Sequence, residues 1–437
     1  MQHAPSEADA SLAPPITRAQ WRVVALASLG GSLEYYDFII YGIFSQYIAK
    51  QFFPSDDPRV SMILSFSVFA LGFLARPLGG IVLSTLGDRI GRRPVFLASL
   101  LCTTLATIAI GLLPSYETLG LAAPLILVVL RLIQGMCLGG ELPGALTYAV
   151  EAVPRRSGLA CGIIIFCVNG GVLVATLVNL AIQQALPPDD VASYGWRIAF
   201  LLGGVVGCVS YVLRRSLEES PAFLRMQRRT TNPMRELIKS HGRAMVVAAG
   251  TVAVVGGFNG MLYGFVPAYL VQSVNYGAAQ VAVAMTVALV VSSVGLIIAG
   301  WAGDYVARHL VLRIGAGLLA LTIVPLWSLI VAGSDHLVLL LALMSLVFSV
   351  SSGIWPGIVA NLFPTRVRFS GIALSYNLSV TILSGVAPLV AATMINWTGM
   401  LTAPALYIAA CALLTVASTF AMPSLTVDGA TLVPKTA

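Results

Sequence analysis

Twelve apolar runs divide the chain, near residues 22–48, 61–85, 94–113, 121–149, 158–184, 196–213, 244–271, 279–301, 310–332, 336–361, 370–395 and 401–421. A helix needs about 20 apolar residues to cross a bilayer, and most runs have them. Lipid offers no water to backbone amides, so each run must satisfy its own as a helix. Composition agrees: 58% of residues are hydrophobic and 10% charged, against about 25% charged in a soluble chain. The expected fold is all-α and integral to the membrane, with twelve transmembrane helices.

The longest polar break, 214–243, falls near the middle. It divides the chain into a six-helix half over 21–213, a basic linker loop over 214–243 and a second six-helix half over 244–421. Residues 1–20 and 422–437 read as polar tails, the first disordered. No cleavable signal is evident, because the first run is too long and carries acids. The six cysteines all lie in apolar runs without metal-type spacing. They read as small core side chains, so neither a metal nor another cofactor is expected.

The net charge of +7 suggests a nucleic-acid partner until it is placed on the topology. With the N-terminus inside, 20 of the 25 Lys and Arg residues fall in cytosolic segments, eight of them between Arg214 and Arg243. Lys50, Arg59 and Arg197 fall outside, while Arg76 and Arg131 lie within spans. This asymmetry is the positive-inside pattern. It places both termini in the cytosol and removes the case for nucleic acid.

The halves repeat. "GDRIGRRP" (87–94) follows the second run and "GDYVARH" (303–309) the eighth. "EAVPRRSG" (151–158) follows the fourth and "NLFPTRVRFSG" (361–371) the tenth. Two such repeats with a site between them suit alternating access.

These motifs resemble the major facilitator superfamily over nearly the whole chain, with "RLIQG" (131–135) matching its Arg-containing motif. A narrower resemblance is to the metabolite:proton symporter family. Its E-[WY]-Y-D-F stretch is matched by Glu34, Tyr35, Tyr36, Asp37 and Phe38. "ARPLGG" (75–80), Arg131, Gln134 and Gly135 followed by Gly139, Gly140 and Glu141, and "LSYNL" (374–378) also look like that family. Ser84, Leu142, Pro143, Tyr305, Ala307 and His309 depart from its pattern. The resemblance implies a secondary transporter, a bacterial inner-membrane location and a monomeric unit.

Glu34 and Asp37 lie deep in the first run, where a charge costs roughly 2.5–3.5 kcal/mol. Three residues apart on a helix, they project about 60° from each other and share a face with Tyr41, a candidate substrate contact. They are the first candidates for proton coupling, with Glu141 the third. Arg131 is their expected partner and the expected anchor for a substrate carboxylate, since its fork can hold one bidentately. Arg76 reads as structural, near the cytosolic end of the second run, able to pair with Glu141 or Asp88. The second half carries no deep charge; Asn259, Tyr263, Trp355, Tyr376 and Asn377 are its candidate substrate contacts. Asp88, Arg89, Gly91, Arg92 and Arg93 are expected to latch the halves, with Asp304 and Arg308 as the second-half counterpart. Asp88 can meet a base or a helix N-terminus there.

The expected function is proton-coupled uptake of a small organic acid or zwitterion across the membrane. Proton-antiport efflux is the alternative; the fifth run has glycines but no proline, which counts against it. An osmosensing compatible-solute symporter ranks lower, because the C-terminal tail shows no coiled-coil repeat. No nucleophile–base pair or nucleotide loop suggests an enzyme.

Overall fold

In a computed structural model, residues 16–226 and 230–422 are described; the expected tails therefore lie largely outside the described residues. Twelve helices are long and apolar enough to cross a membrane. They are α1 (Arg18–Ile43), α2 (Pro58–Ile90), α3 (Arg92–Leu112), α4 (Ala122–Ala152), α5 (Ser157–Ala185) and α6 (Trp196–Arg214) in the first half. The second half has α7 (Gly242–Gly264), α8 (Ala278–Ala302), α9 (Arg308–Val331), α10 (Leu337–Ser352, continued by Trp355–Asn361), α11 (Arg368–Thr398) and α12 (Ala403–Ala421). No strand occurs among the described residues.

Helix α1 begins two residues before the expected end of the polar tail, fixed by a capping box between Thr17 and Gln20. Large apolar side chains line the outer surface; Leu321 is 75% and Val246 74% exposed. In water such exposure would be a liability, whereas in lipid it is the contact surface.

The linker is not plain loop. Pro221–Leu224 and Pro233–Ser240 form short helices that bury Phe223 and Leu237. With an even number of crossings, the first and last described residues, Ile16 and Met422, lie on one face. That face also carries the linker and the loops after α2, α4, α8 and α10, and is called the basic face below.

The halves meet along two seams, α2 against α11 and α5 against α8, which are related by the internal repeat. At the second seam a Cβ on Gly158 would collide with the backbone of Gly300, so the helices touch through glycine backbone. Nearer the midplane, Asn169 donates to Ser293 across the same seam at 2.9 Å. The other polar contacts between halves described below lie closer to the basic face, so the structure is closed there.

Candidate functional site

Asp37 and Glu34 project inward from α1 and are 2% and 3% exposed. Neither meets Arg131 directly. The Thr107 hydroxyl of α3 donates to Asp37 Oδ2 at 2.5 Å, Gln134 Nε2 of α4 donates to Thr107 at 2.8 Å, and Arg131 Nη1 donates to Gln134 Oε1 at 2.8 Å. Acid and base are thus joined through two neutral side chains. Asp37 Oδ1 and both Glu34 oxygens have no hydrogen-bond partner.

Arg131 is boxed by aromatics. Its guanidinium carbon lies 4.2 Å from the Tyr41 ring centroid, 5.0 Å from Phe38 and 5.7 Å from Phe69. Cation–π attraction of this kind helps a cation that has lost its water. Tyr41 has a second role, donating to the Ser65 carbonyl at 3.2 Å. The expected direct pairing of Arg131 with the α1 acids is therefore corrected to a relay, because the aromatic box and Gln134 occupy its reach.

Glu141 has a different counter-ion from those expected. Arg214, the last residue of α6, pairs with its Oε1, while Ser99 donates to Oε2 at 2.8 Å. Arg214 also donates at 2.7 Å to each of the Leu26 and Ala27 carbonyls of α1 and lies 3.9 Å from the Phe96 ring centroid. Both members of the pair are fully buried. Arg76 meets neither Glu141 nor Asp88. It stands near the middle of the 33-residue α2 rather than at its end.

In the second half, Trp355 and Tyr376 are buried and stacked, with centroids 5.2 Å apart and an interplanar angle of 8°. Asn377 is a clamp between halves: its Nδ2 donates to the Gly139 carbonyl of α4 at 2.6 Å. Pro143 explains why that carbonyl is available. Proline lacks the N–H that would bond the carbonyl four residues earlier, and four before 143 is Gly139. Asn259 is half-buried and Tyr263 is 43% exposed. Neither joins the charged relay.

The two latches match. Asp88 accepts from the Ser370 amide at 2.8 Å and the Phe369 amide at 3.4 Å, at the N-terminus of α11. Asp304 accepts from the Gly158 and Leu159 amides at 2.7 and 2.9 Å, at the N-terminus of α5. In each half the aspartate at the C-terminal end of the second helix caps a helix of the other half, where amides and dipole favour an anion. Each has an arginine four residues on: Arg92 at 3.1 Å and Arg308 at 2.9 Å. Burial raises the Asp304 carboxyl above its ordinary value, opposed by the Leu159 amide and Arg308.

Arg92 reaches further, to Glu151 at 3.3 Å and the Thr365 carbonyl at 2.6 Å. Gly91 turns the chain at φ 119°, a value that disfavours any side chain. Arg93 donates to the Arg215 carbonyl at 2.9 Å and thus ties the linker down. Arg89 is exposed and stands outside the latch. Glu219, from the linker, was not expected: it accepts from the Arg92 amide at 3.1 Å and the Arg93 amide at 3.2 Å, capping α3.

Asparagine at either latch keeps an acceptor but removes the charge at the helix end, a change worth up to about 2 kcal/mol in buried geometries. Asp88→Asn and Asp304→Asn are each expected to slow transport about ten-fold, since 1.4 kcal/mol is a factor of ten, with ligand affinity held within a few fold. Wild-type rates in Asp304→Asn would show that only the first latch gates.

Two seams related by the internal repeat, each closed at the basic face by an aspartate that caps a helix of the other half, are the architecture of a membrane transporter. The sequence pattern of the Major Facilitator Superfamily matches residues 27–388, and the chain belongs to that superfamily. The chain is 30% identical over 402 residues to the glycine betaine/proline/ectoine/pipecolic acid transporter OusA of Dickeya dadantii (strain 3937), covering 89% of this chain and 80% of that protein. It is 28% identical over 402 residues to the proline/betaine transporter of Escherichia coli (strain K12), with the same coverage. Among solved structures, it aligns with the proton:xylose symporter XylE bound to 6-bromo-6-deoxy-D-glucose at a TM-score of 0.75 and 16% identity, over 94% of this chain and 96% of that one. The relatives are transporters rather than enzymes. The betaine, proline, ectoine and pipecolic acid for which the first two relatives are named are zwitterions, so an organic acid is a less apt description of such solutes.

Proposed function

We propose that this protein is a proton-coupled symporter that imports a small zwitterion of the betaine and proline type. The transporting unit is one chain in a bacterial inner membrane, with the basic face in the cytosol. The observation that carries this reading is the buried relay from Asp37 through Thr107 and Gln134 to Arg131. A carboxylate in the bilayer interior without a full set of partners marks a proton or ion path. The relay lets the charge on Asp37 be felt at Arg131 without a fixed ion pair. Glu141 already has a fixed counter-ion, so the proton role passes to Asp37, with Glu34 tuning it. With the basic face in the cytosol, the closed latches make this the outward-facing side of the cycle.

Purified protein in proteoliposomes should accumulate glycine betaine or proline when the interior is made alkaline. A protonophore should abolish the accumulation. Uptake indifferent to the pH gradient would remove proton coupling. Transport confined to lipophilic cations, driven outward against protons, would replace symport with efflux.

A further inference from the structure

Arg76 is 2% exposed in the middle of α2, yet its Nε and Nη2 have no hydrogen-bond partner. These two nitrogens form the lateral fork of the guanidinium, the edge that grips a carboxylate bidentately. Its guanidinium carbon lies 5.8 Å from the ring centroid of Tyr376, across the seam on α11, and 5.6 Å from that of Phe73. Trp355 stacks on Tyr376 at 5.2 Å. The result is a cation beside a Tyr376 ring of the other half, a ring that Trp355 stacks on. Glu34, whose oxygens also lack hydrogen-bond partners, forms no ion pair with Arg76.

We infer that Arg76 occupies the place of a substrate ammonium on Tyr376 and Trp355, and that a zwitterionic solute displaces it. The inference rests on the zwitterion-uptake reading above. The incoming substituted ammonium takes the aromatic face, a favoured partner for a cation that cannot donate hydrogen bonds. The freed guanidinium turns its lateral fork to the solute's carboxylate. One ligand thereby replaces a contact between the halves with contacts to each. Arg131 is less suited to this role, because its aromatic box and its relay come entirely from the first half. A solute there would not sense the relative position of the halves, whereas sites at the repeat interface do.

Binding to the full-length protein in detergent, measured by calorimetry, tests this with three probes. Glycine betaine carries both charges, choline carries the quaternary ammonium without a carboxylate, and 3,3-dimethylbutanoate replaces the ammonium nitrogen with carbon. Wild type should bind glycine betaine at least about ten-fold more tightly than dimethylbutanoate, the scale of a desolvated cation–π contact. Arg76→Gln should weaken glycine betaine about ten-fold or more and strengthen choline several-fold, because the ring is uncovered while the fork is lost. Trp355→Leu added to Arg76→Gln should erase the choline gain. Should Arg76→Gln fail to fold, Arg76→Lys, which keeps charge but loses the fork, should still weaken glycine betaine. A parallel loss for betaine and choline in Arg76→Gln would make Arg76 a merely structural residue and overturn the displacement. Wild-type affinities in every variant would overturn this site alone. No binding of glycine betaine by wild type would overturn the proposed solute class and this site with it.

Discussion

Asp37→Asn should abolish uphill, pH-driven accumulation while leaving counterflow exchange measurable. The substitution is nearly isosteric. An amide oxygen can still accept from Thr107, so the 2.5 and 2.8 Å contacts of the relay have a reason to persist. What is lost is the ionisable carboxyl on which the proposed proton coupling depends. One pH unit is worth about 1.36 kcal/mol per proton, so a one-proton symporter can hold about a ten-fold solute gradient at that difference. The variant should settle at equal concentrations on both sides. Glu34→Gln should shift the pH dependence less, since Glu34 has no hydrogen-bonded route to Arg131. If both variants accumulate solute with wild-type pH dependence, the acids are structural.

The apolar runs made the architecture legible, because lipid leaves the backbone few alternatives to helix. The internal repeat exposed the paired aspartate caps for a related reason. Asp88 and Asp304 must each stand at the corresponding place in its own half to meet amide groups of the other half, so spacing survives even where Tyr305, Ala307 and His309 depart from the motif. Tyr305 has found another use, lying 5.1 Å below the Arg156 guanidinium.

Side-chain partners were harder to read. Arg214 sits at the edge of an apolar run beside Arg215, and a base there reads as a topology signal. Only the position of α6 against α1 and α4 shows that it is buried on Glu141. The available clue was Glu141 itself, since a buried acid requires a counter-ion. Arg76 was misplaced because α2 extends to 33 residues, well beyond its apolar run. The partner of Asn377 was not readable, because it exists only where Pro143, on the helix packed against α11, frees the Gly139 carbonyl. Pairings that depend on how helices cross leave no periodic trace along the chain.

The Glu141–Arg214 pair should be among the most costly places to change a single residue. Both side chains are fully buried, and Arg214 makes two further bonds to the α1 backbone. Removing either partner leaves the other as an uncompensated charge, which costs about 3–5 kcal/mol in buried pairs. Glu141→Gln and Arg214→Gln should therefore each lower the thermal midpoint sharply and reduce the yield of folded protein. The double variant has no such orphan charge and should recover much of the loss, because neutral replacement of a whole buried pair is often tolerated. Thermal denaturation of all four proteins in detergent gives the coupling directly as a double-mutant cycle. Additive losses would mean that the two residues do not act as a pair. The folded double variant also separates stability from transport. If Glu141 serves only as the counter-ion of Arg214, that variant accumulates solute with the wild-type pH dependence. If it binds solute but cannot accumulate it, Glu141 belongs to the proton path together with Asp37.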